Sequence, residues 1–254
     1  MHEVHITVDV DWAPDWAMRR LMAALGDAGV RSTWFITHET EVLGELRQEP
    51  ELFELGIHPN FQPGSSHGSS AADVVAECMR IVPEALTMRT HCLVQSTPML
   101  QAVCDASPIL LDSSIYLRDA VGVTPSMLPL DRGGSLTRVP YVWEDDLEFF
   151  AAGPRWDGQA FVESRHGDDE ITIIDVHPIH FVLNSASVDD YRGLKDAFGD
   201  TRVVDERTVI EYAHDGAGTA TFISSLVALG SRDDLAFDRP LVALHSRATE
   251  GALR

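Results

Sequence analysis

The 254-residue sequence has few cysteines, a single lysine and no long apolar run. Its three cysteines form no C-x-x-C pair, so a disulfide framework is not indicated and a reducing compartment is expected. No apolar run approaches the roughly 18 residues that a membrane span needs. The sequence does not open with a basic segment followed by an apolar one, as a secretory signal peptide would. We therefore expect a cytoplasmic protein without an integral membrane segment.

Positive charge is also scarce. Lys and Arg number 19 against 40 Asp and Glu, which gives a formal net charge of −21 at pH 7. Such a field repels phosphate backbones, so general nucleic-acid binding is disfavoured. The hydrophobic content of 44% is typical of a chain that buries a sizeable core, and the length suits one large α/β domain or two small ones.

Segments with strand and helix character alternate along the sequence. Alternating or continuous apolar patterns predict strands at 4–10, 32–37, 55–58, 86–90, 109–113, 138–143 and 171–177. Strands separated by helices are typical of βαβ units, which build a parallel sheet, open or closed as a barrel. The stretch 117–136 is predicted to be a long loop. Residues after 184 are predicted to be mainly helical, with a peripheral polar tail.

Asp, His and Arg residues stand at the ends of four predicted strands. Parallel α/β folds bind their ligands at the carboxyl ends of the strands. Asp9 and Asp11 are two positions apart, so their side chains face the same side. His58, Arg89 and His177 end three further strands. This pattern predicts that the five side chains converge at one mouth of the fold.

Five motifs, in chain order, resemble those of the polysaccharide deacetylase superfamily, the NodB-homology enzymes. They are T-V-D-V-D at 7–11, A-G-V-R-S-T-W-F-I-T at 28–37, L-G-I-H-P-N at 55–60, M-R-T-H at 88–91 and I-I-D-V-H at 173–177. The run H-P-N-F-x-P-G-S-x-H-G looks most like a WbmS-type branch associated with surface-polysaccharide biosynthesis. The resemblance implies an α/β fold of the distorted (β/α)7-barrel type. It also implies one catalytic domain over 1–254, with a core of about 4–184 and a helical C-terminal extension of about 185–254.

The resemblance assigns a role to each residue at a strand end. Asp9 would be the general base, Arg89 the residue that orients it, and His177 the general acid. Asp11 and His58 would hold one divalent metal ion, for which Zn²⁺ is expected. The ion would polarise the acetyl carbonyl and lower the pKa of a water molecule.

Two further roles are left open by the resemblance, each with two candidate residues. The family usually has a second metal-binding histidine four residues after the first, but position 62 is Gln62. His67, in the flexible run P-G-S-S-H-G, is the first candidate for this ligand, and His91 is the second. The family also has an acidic residue that tunes the catalytic histidine, for which Asp145 and Asp146 are candidates.

The implied reaction is hydrolysis of the N-acetyl group of an amino sugar in a polysaccharide precursor or surface glycan, with release of acetate. In the cytoplasm the substrate would be a nucleotide-activated sugar or a lipid-linked precursor. Its phosphates would need arginines such as Arg89, Arg118 or Arg132. Two alternatives stay open: a catalytically decayed protein on the same scaffold that binds metal or carbohydrate, and a metal-dependent hydrolase of a non-sugar amide.

Overall fold

A computed structural model describes residues 1–165 and 171–252 of the chain. Within these ranges ten strands form one sheet. They are β1 (His2–Asp9), β2 (Ser32–Ile36), β3 (Phe53–Ile57), β4 (Thr87–Met88), β5 (Leu111–Asp112), β6 (Ser126–Pro129), β7 (Ser135–Arg138), β8 (Trp143–Glu144), β9 (Ile171–Val176) and β10 (Leu235–Ala236).

Helices follow most strands and cover the sheet. They are α1 (Asp15–Asp27), α2 (Val42–Leu46), α3 (Ala71–Ile81), α4 (Thr97–Ala106), α5 (Asp145–Glu148), α6 (Gly158–Glu163), α7 (Pro178–Leu183), α8 (Val188–Phe198), α9 (Glu206–Ile210), α10 (Thr219–Val227) and α11 (Ala243–Ala252). The longest of them, α1, buries Ala17, Met18, Leu21 and Leu25, which recur at the three- and four-residue spacing of one helix face. None of the described helices has the length and apolar character needed to cross a membrane.

The sheet is parallel except at one edge and curls into a distorted barrel. Its strand order is β6-β7-β5-β4-β3-β2-β1-β9-β8, with β6 antiparallel to β7. The segment 135–144 joins the two sides of the curl, because the Val139 amide donates to the Asp112 carbonyl (3.1 Å) and the Val142 amide to the Ile173 carbonyl (2.9 Å). The barrel wall around the core is therefore formed by β1, β2, β3, β4, β5, β9 and the segment 135–144. The predicted α/β fold with a distorted (β/α)7-type barrel is confirmed.

The central strands are buried on both faces. Every described residue of β1 and β9 is buried, as expected for parallel strands with helices outside and side chains packed inside. The core contains Trp34 and Trp143, and the Trp143 ring stacks on Phe222 of α10 with centroids 3.7 Å apart. This packing fixes the strand ends, where the polar residues lie.

Two segments differ from the sequence-based expectation. The predicted loop 117–136 contains β6 and the start of β7, which form an antiparallel hairpin. The predicted peripheral tail contains β10, which pairs in parallel with the first residues of β1, and Leu241 and Leu244 are buried in the core. A strand as short as β10 has too few residues to show an alternating pattern, because the signal needs four to eight positions.

Candidate active site

One buried arginine connects two acidic strand ends. Arg89 follows β4 and is fully buried, with its guanidinium 4.1 Å from the centroid of the Tyr141 ring. Its NH1 group donates to Asp9 Oδ1 at 3.0 Å and also to Asp175 Oδ1. The same nitrogen donates to Thr7 Oγ1 at 2.8 Å. Arginine stays charged in proteins, so a fixed cation holds the Asp9 carboxylate in place.

A second layer of buried acids lies behind Asp9. Burial raises the pKa of Asp175 well above its ordinary range, Arg89 opposes this shift, and the charge of Asp9 adds to it. Its neighbour across the strands, Glu144, accepts a hydrogen bond from the Tyr141 hydroxyl. Burial also raises the pKa of Glu144 well above its ordinary range. Since one arginine cannot neutralise three carboxylates, burial disfavours simultaneous ionisation of Asp175 and Glu144 behind Asp9.

Asp11, His58 and His91 bring three ligand-type atoms together. Asp11 Oδ1 lies 3.1 Å from His58 Nε2 and 2.9 Å from His91 Nδ1. The candidate ligand atoms of the three residues all lie within 4.8 Å of one another. A carboxylate with two imidazoles is a donor set typical of catalytic zinc sites, which leave a coordination position open. These three residues therefore fit a divalent ion of the zinc type.

The backbone at this cluster is strained. Asp11 and Trp12 have φ values of 44° and 55°, and Cys92 and Leu93 have φ values of 52° and 55°. Side chains with a Cβ rarely adopt this left-handed region, and such residues are concentrated at functional sites. One strained pair contains Asp11, and the other directly follows His91.

The structure does not bring His67 into this cluster. The His67 Nδ1 atom accepts a hydrogen bond from the Asn60 amide at 3.1 Å, and Nε2 lies 2.6 Å from the Thr37 carbonyl oxygen. Both ring nitrogens are thus used by the backbone, and burial lowers the pKa of the imidazole. The His67 ring lies 5.6 Å from that of Trp12, so His67 supports the wall of the site.

His177 faces the cluster from the end of β9. Its Nε2 atom is 3.6 Å from Asp11 Oδ2, and its Nδ1 atom is 2.7 Å from Asp145 Oδ1. Burial tends to lower the pKa of His177, but the Asp145 carboxylate outweighs it and holds that pKa well above its ordinary value. A histidine oriented by a carboxylate in this way is suited to donate a proton.

The sequence motifs indicate roles for most of these residues but not for Asp175. Asp175 precedes His177 by two positions on β9, and its carboxylate meets the same arginine as Asp9. The available signal was this spacing, because alternate residues of a strand face the same side. Of the two acids proposed to tune His177, Asp145 makes the contact, since its second oxygen also accepts the His177 amide at 2.9 Å.

An open cleft of about 610 Å³ adjoins the three-residue cluster. Its lining includes Asp11, Trp12 and His91, together with Tyr191 and Lys195 of α8 and Arg202 beyond the end of that helix. Small-molecule sites in proteins have volumes of about 300–1,000 Å³. The cleft is therefore large enough for a sugar with an additional group.

The curled barrel and its order of elements define the NodB-like deacetylase fold. The model of WbmS-like polysaccharide deacetylases matches residues 6–195, and the chain belongs to this family. It is similar to the crystal structure of WbmS from Bordetella bronchiseptica, a proposed polysaccharide deacetylase involved in O-antigen biosynthesis. That similarity has 30% sequence identity and a TM-score of 0.73, over 89% of this chain and 90% of the other.

Two further structures are more distant. A family 4 acetyl xylan esterase from Clostridium thermocellum, in complex with a cobalt ion, has 14% identity and a TM-score of 0.39, over 69% of this chain and 74% of its own. A CE4 family pseudoenzyme from Bacillus anthracis, BA3943, has 13% identity and a TM-score of 0.38. The match covers 78% of this chain and 59% of the pseudoenzyme. No curated protein sequence matches the chain significantly.

Proposed function

We propose that the protein is a metal-dependent hydrolase that removes the N-acetyl group of an amino sugar in a polysaccharide precursor or surface glycan and releases acetate. The observation that carries the proposal is the meeting of three groups at one mouth. They are the cluster of Asp11, His58 and His91, the Asp9–Arg89 pair, and the His177–Asp145 pair. Membership of a polysaccharide deacetylase family supports the reaction class. Cytoplasmic action remains part of the proposal, and cell fractionation tests it.

Asp11, His58 and His91 would hold one divalent ion, with Zn²⁺ expected from the donor set. When bound, such an ion polarises the amide carbonyl and acidifies water. Asp9, held by Arg89, accepts the proton of the attacking water as the general base. His177, kept protonated by Asp145, donates a proton to the leaving nitrogen as the general acid. The products are acetate and a free amino sugar.

The test measures metal content and acetate release together. We expect about one ion per chain by mass spectrometry, and acetate release from N-acetylated sugars after reconstitution with Zn²⁺. The Asp9→Asn variant should keep the ion and lose turnover, since Asp9 has a base role, whereas Asp11→Ala should lose both. Equal loss of metal in the two variants would contradict this division of roles.

Two outcomes would favour the alternatives. A protein that binds the ion and sugars but releases no acetate from any of them would be a catalytically decayed member of the family. Release of acid from simple amides, with no turnover of N-acetylated sugars, would indicate a hydrolase of non-sugar amides. Fold alone does not decide between these substrates.

A further inference from the structure

The cleft beside the proposed metal cluster carries an unusual balance of charge. The chain as a whole has a formal charge of −21, and Lys195 is its only lysine. That lysine lines the cleft, with its ammonium 5.6 Å from the centroid of the Tyr191 ring, which lines the cleft as well. Among the residues that the structure describes, no carboxylate forms an ion pair with Lys195.

The other charged residues of the cleft wall beside Lys195 are already matched. Arg202 Nε lies 2.9 Å from Asp200 Oδ1, and Arg202 NH2 lies 2.7 Å from Asp200 Oδ2. This bidentate pair neutralises the charge of Asp200 and fixes the guanidinium. Asp11, which also lines the cleft, contacts His58 and His91, with which it would hold the proposed metal ion. Among the charged side chains that line this cleft in the described part of the chain, Lys195 is therefore the one without an ion-pair partner.

The arginines expected from the sequence to bind phosphate are placed elsewhere. Arg89 is buried behind Asp9, and Arg118 pairs with Glu148 at 2.9 Å. Arg132 pairs with Asp105 at 2.5 Å on an exposed surface. None of the three lines the cleft within the part of the chain that the structure describes. A negatively charged group entering the cleft would meet Lys195 instead.

We infer that the substrate is an N-acetylated sugar with an anionic substituent, a phosphate or a carboxylate, and that Lys195 binds this substituent. The inference rests on the proposed deacetylase function and specifies its substrate class. A protein with a strongly negative field repels an anionic substrate, so the site needs a local cation that no acid has neutralised. The acetamido group would lie at the cluster, and the anion at the opposite side of the cleft beside the fixed Arg202 guanidinium. The Trp12 ring, which lines the same cleft, offers an apolar surface for the sugar.

The test compares three substrates in matched variants. They are neutral N-acetylglucosamine, its 1-phosphate and its uronic acid, each assayed for acetate release. Lys195→Gln should reduce the preference for the anionic sugars over the neutral one by about tenfold, through KM, because a charge-assisted hydrogen bond is lost. Lys195→Arg should restore most of the preference. Arg192→Gln is the control, since Arg192 is on the same helix but pairs with exposed Asp189 at 3.0 Å outside the cleft.

A binding measurement separates failure of this inference from failure of the proposed function. Calorimetry on the Asp9→Asn variant, with and without Lys195→Gln, gives the affinity for N-acetylglucosamine 1-phosphate, the uronic acid and the neutral sugar without turnover. Binding of an anionic sugar that depends on Lys195, with no acetate release by the wild type, would support the inference on the ligand and overturn the deacetylase function. Acetate release without preference for either anionic sugar, or with a preference unchanged in Lys195→Gln, would overturn the inference and leave the function standing. Dependence on Lys195 for only one anionic sugar identifies the substituent.

Discussion

His91 and His67 both pack near the Trp12 ring, and His91 is the one that contacts Asp11. The rings are 5.3 Å and 5.6 Å from that of Trp12, respectively. His91 directs a nitrogen at the Asp11 carboxylate, whereas both nitrogens of His67 are used by backbone groups. The two histidines therefore have different roles: His91 is a proposed metal ligand, and His67 supports the loop through the Asn60 and Thr37 backbone groups.

Mutation separates these two histidines. We expect His91→Ala to lower the affinity for Zn²⁺ by more than about 100-fold, beyond the loss usual for residues that only hydrogen-bond a ligand. His67→Ala should keep the ion and lose about 1–3 kcal/mol of unfolding free energy, because the buried Thr37 carbonyl loses its partner. Metal titration and urea unfolding of both variants check this. Loss of the ion from His67→Ala alone would contradict the proposed ligand set.

The contact with Asp145 influences the pKa of His177. Since the Asp145 carboxylate raises the pKa of His177, removing that charge in Asp145→Asn lowers the pKa. If His177 is the general acid, as proposed, it then loses its proton at a lower pH, and the alkaline limb of the kcat profile should shift to lower pH. A pH series of acetate release measures the shift. Asp189→Asn, which changes an exposed acid that pairs with Arg192, is the control and should leave the limb in place.

At the scale of elements, the Arg89 cluster connects three strands. Asp9 ends β1, Arg89 follows β4, and Asp175 belongs to β9. Arg89→Met would leave Asp9 and Asp175 without their cation. Breaking a buried ion pair in this way lowers the unfolding free energy by about 3–5 kcal/mol. Arg132→Met removes an exposed pair and should cost less than about 0.5 kcal/mol.

The cost of Arg89→Met should depend on pH. Burial already raises the folded-state pKa of Asp175 above its unfolded value, and losing Arg89 raises it further. An acid whose pKa is raised by folding lowers the unfolding free energy at pH values above its unfolded-state pKa. This loss disappears as the pH falls and the group takes up a proton. Urea unfolding at pH 8 and pH 5 should therefore show a smaller deficit at pH 5. An equal deficit at both values would show that lost packing, and not charge, is the cause.

The elements that sequence reasoning predicted are those with a repeating pattern. The strands around β1, β2, β3 and β9 alternate or run apolar over several residues, so their ends, and Asp9, His58 and His177 with them, could be located. The choice between His67 and His91 could not be made in this way. The proposed choice of His91 rests on its contact with Asp11, 80 positions away in the chain, and the left-handed backbone that follows at Cys92 and Leu93 is not indicated by a glycine. Pairing of β10 with β1 depends on contacts distant in sequence, which local patterns do not contain.

At the scale of the whole molecule, the excess of acids opposes folding. With a formal charge of −21, the compact state concentrates negative charge that the unfolded chain spreads out. Raising NaCl from about 0.01 M to about 0.1 M shortens the screening length from about 30 Å to about 10 Å, so Tm should rise. Thermal unfolding at pH 8 measures this, and the rise should be smaller near pH 4.5, where carboxylates begin to be neutralised. A Tm independent of salt at pH 8 would show that the acids are locally balanced.

The position of β1 in the sheet also determines when the barrel can be completed during synthesis. Glu3 pairs with Ile171 on β9 and with Ala236 on β10, both of which are translated long after β1. These pairings therefore form only after the later strands have been translated, and contacts so distant in sequence are slow to form. Until then the edge of β1 that β9 will cover presents unpaired backbone N–H and C=O groups to other chains, which favours aggregation of incomplete chains.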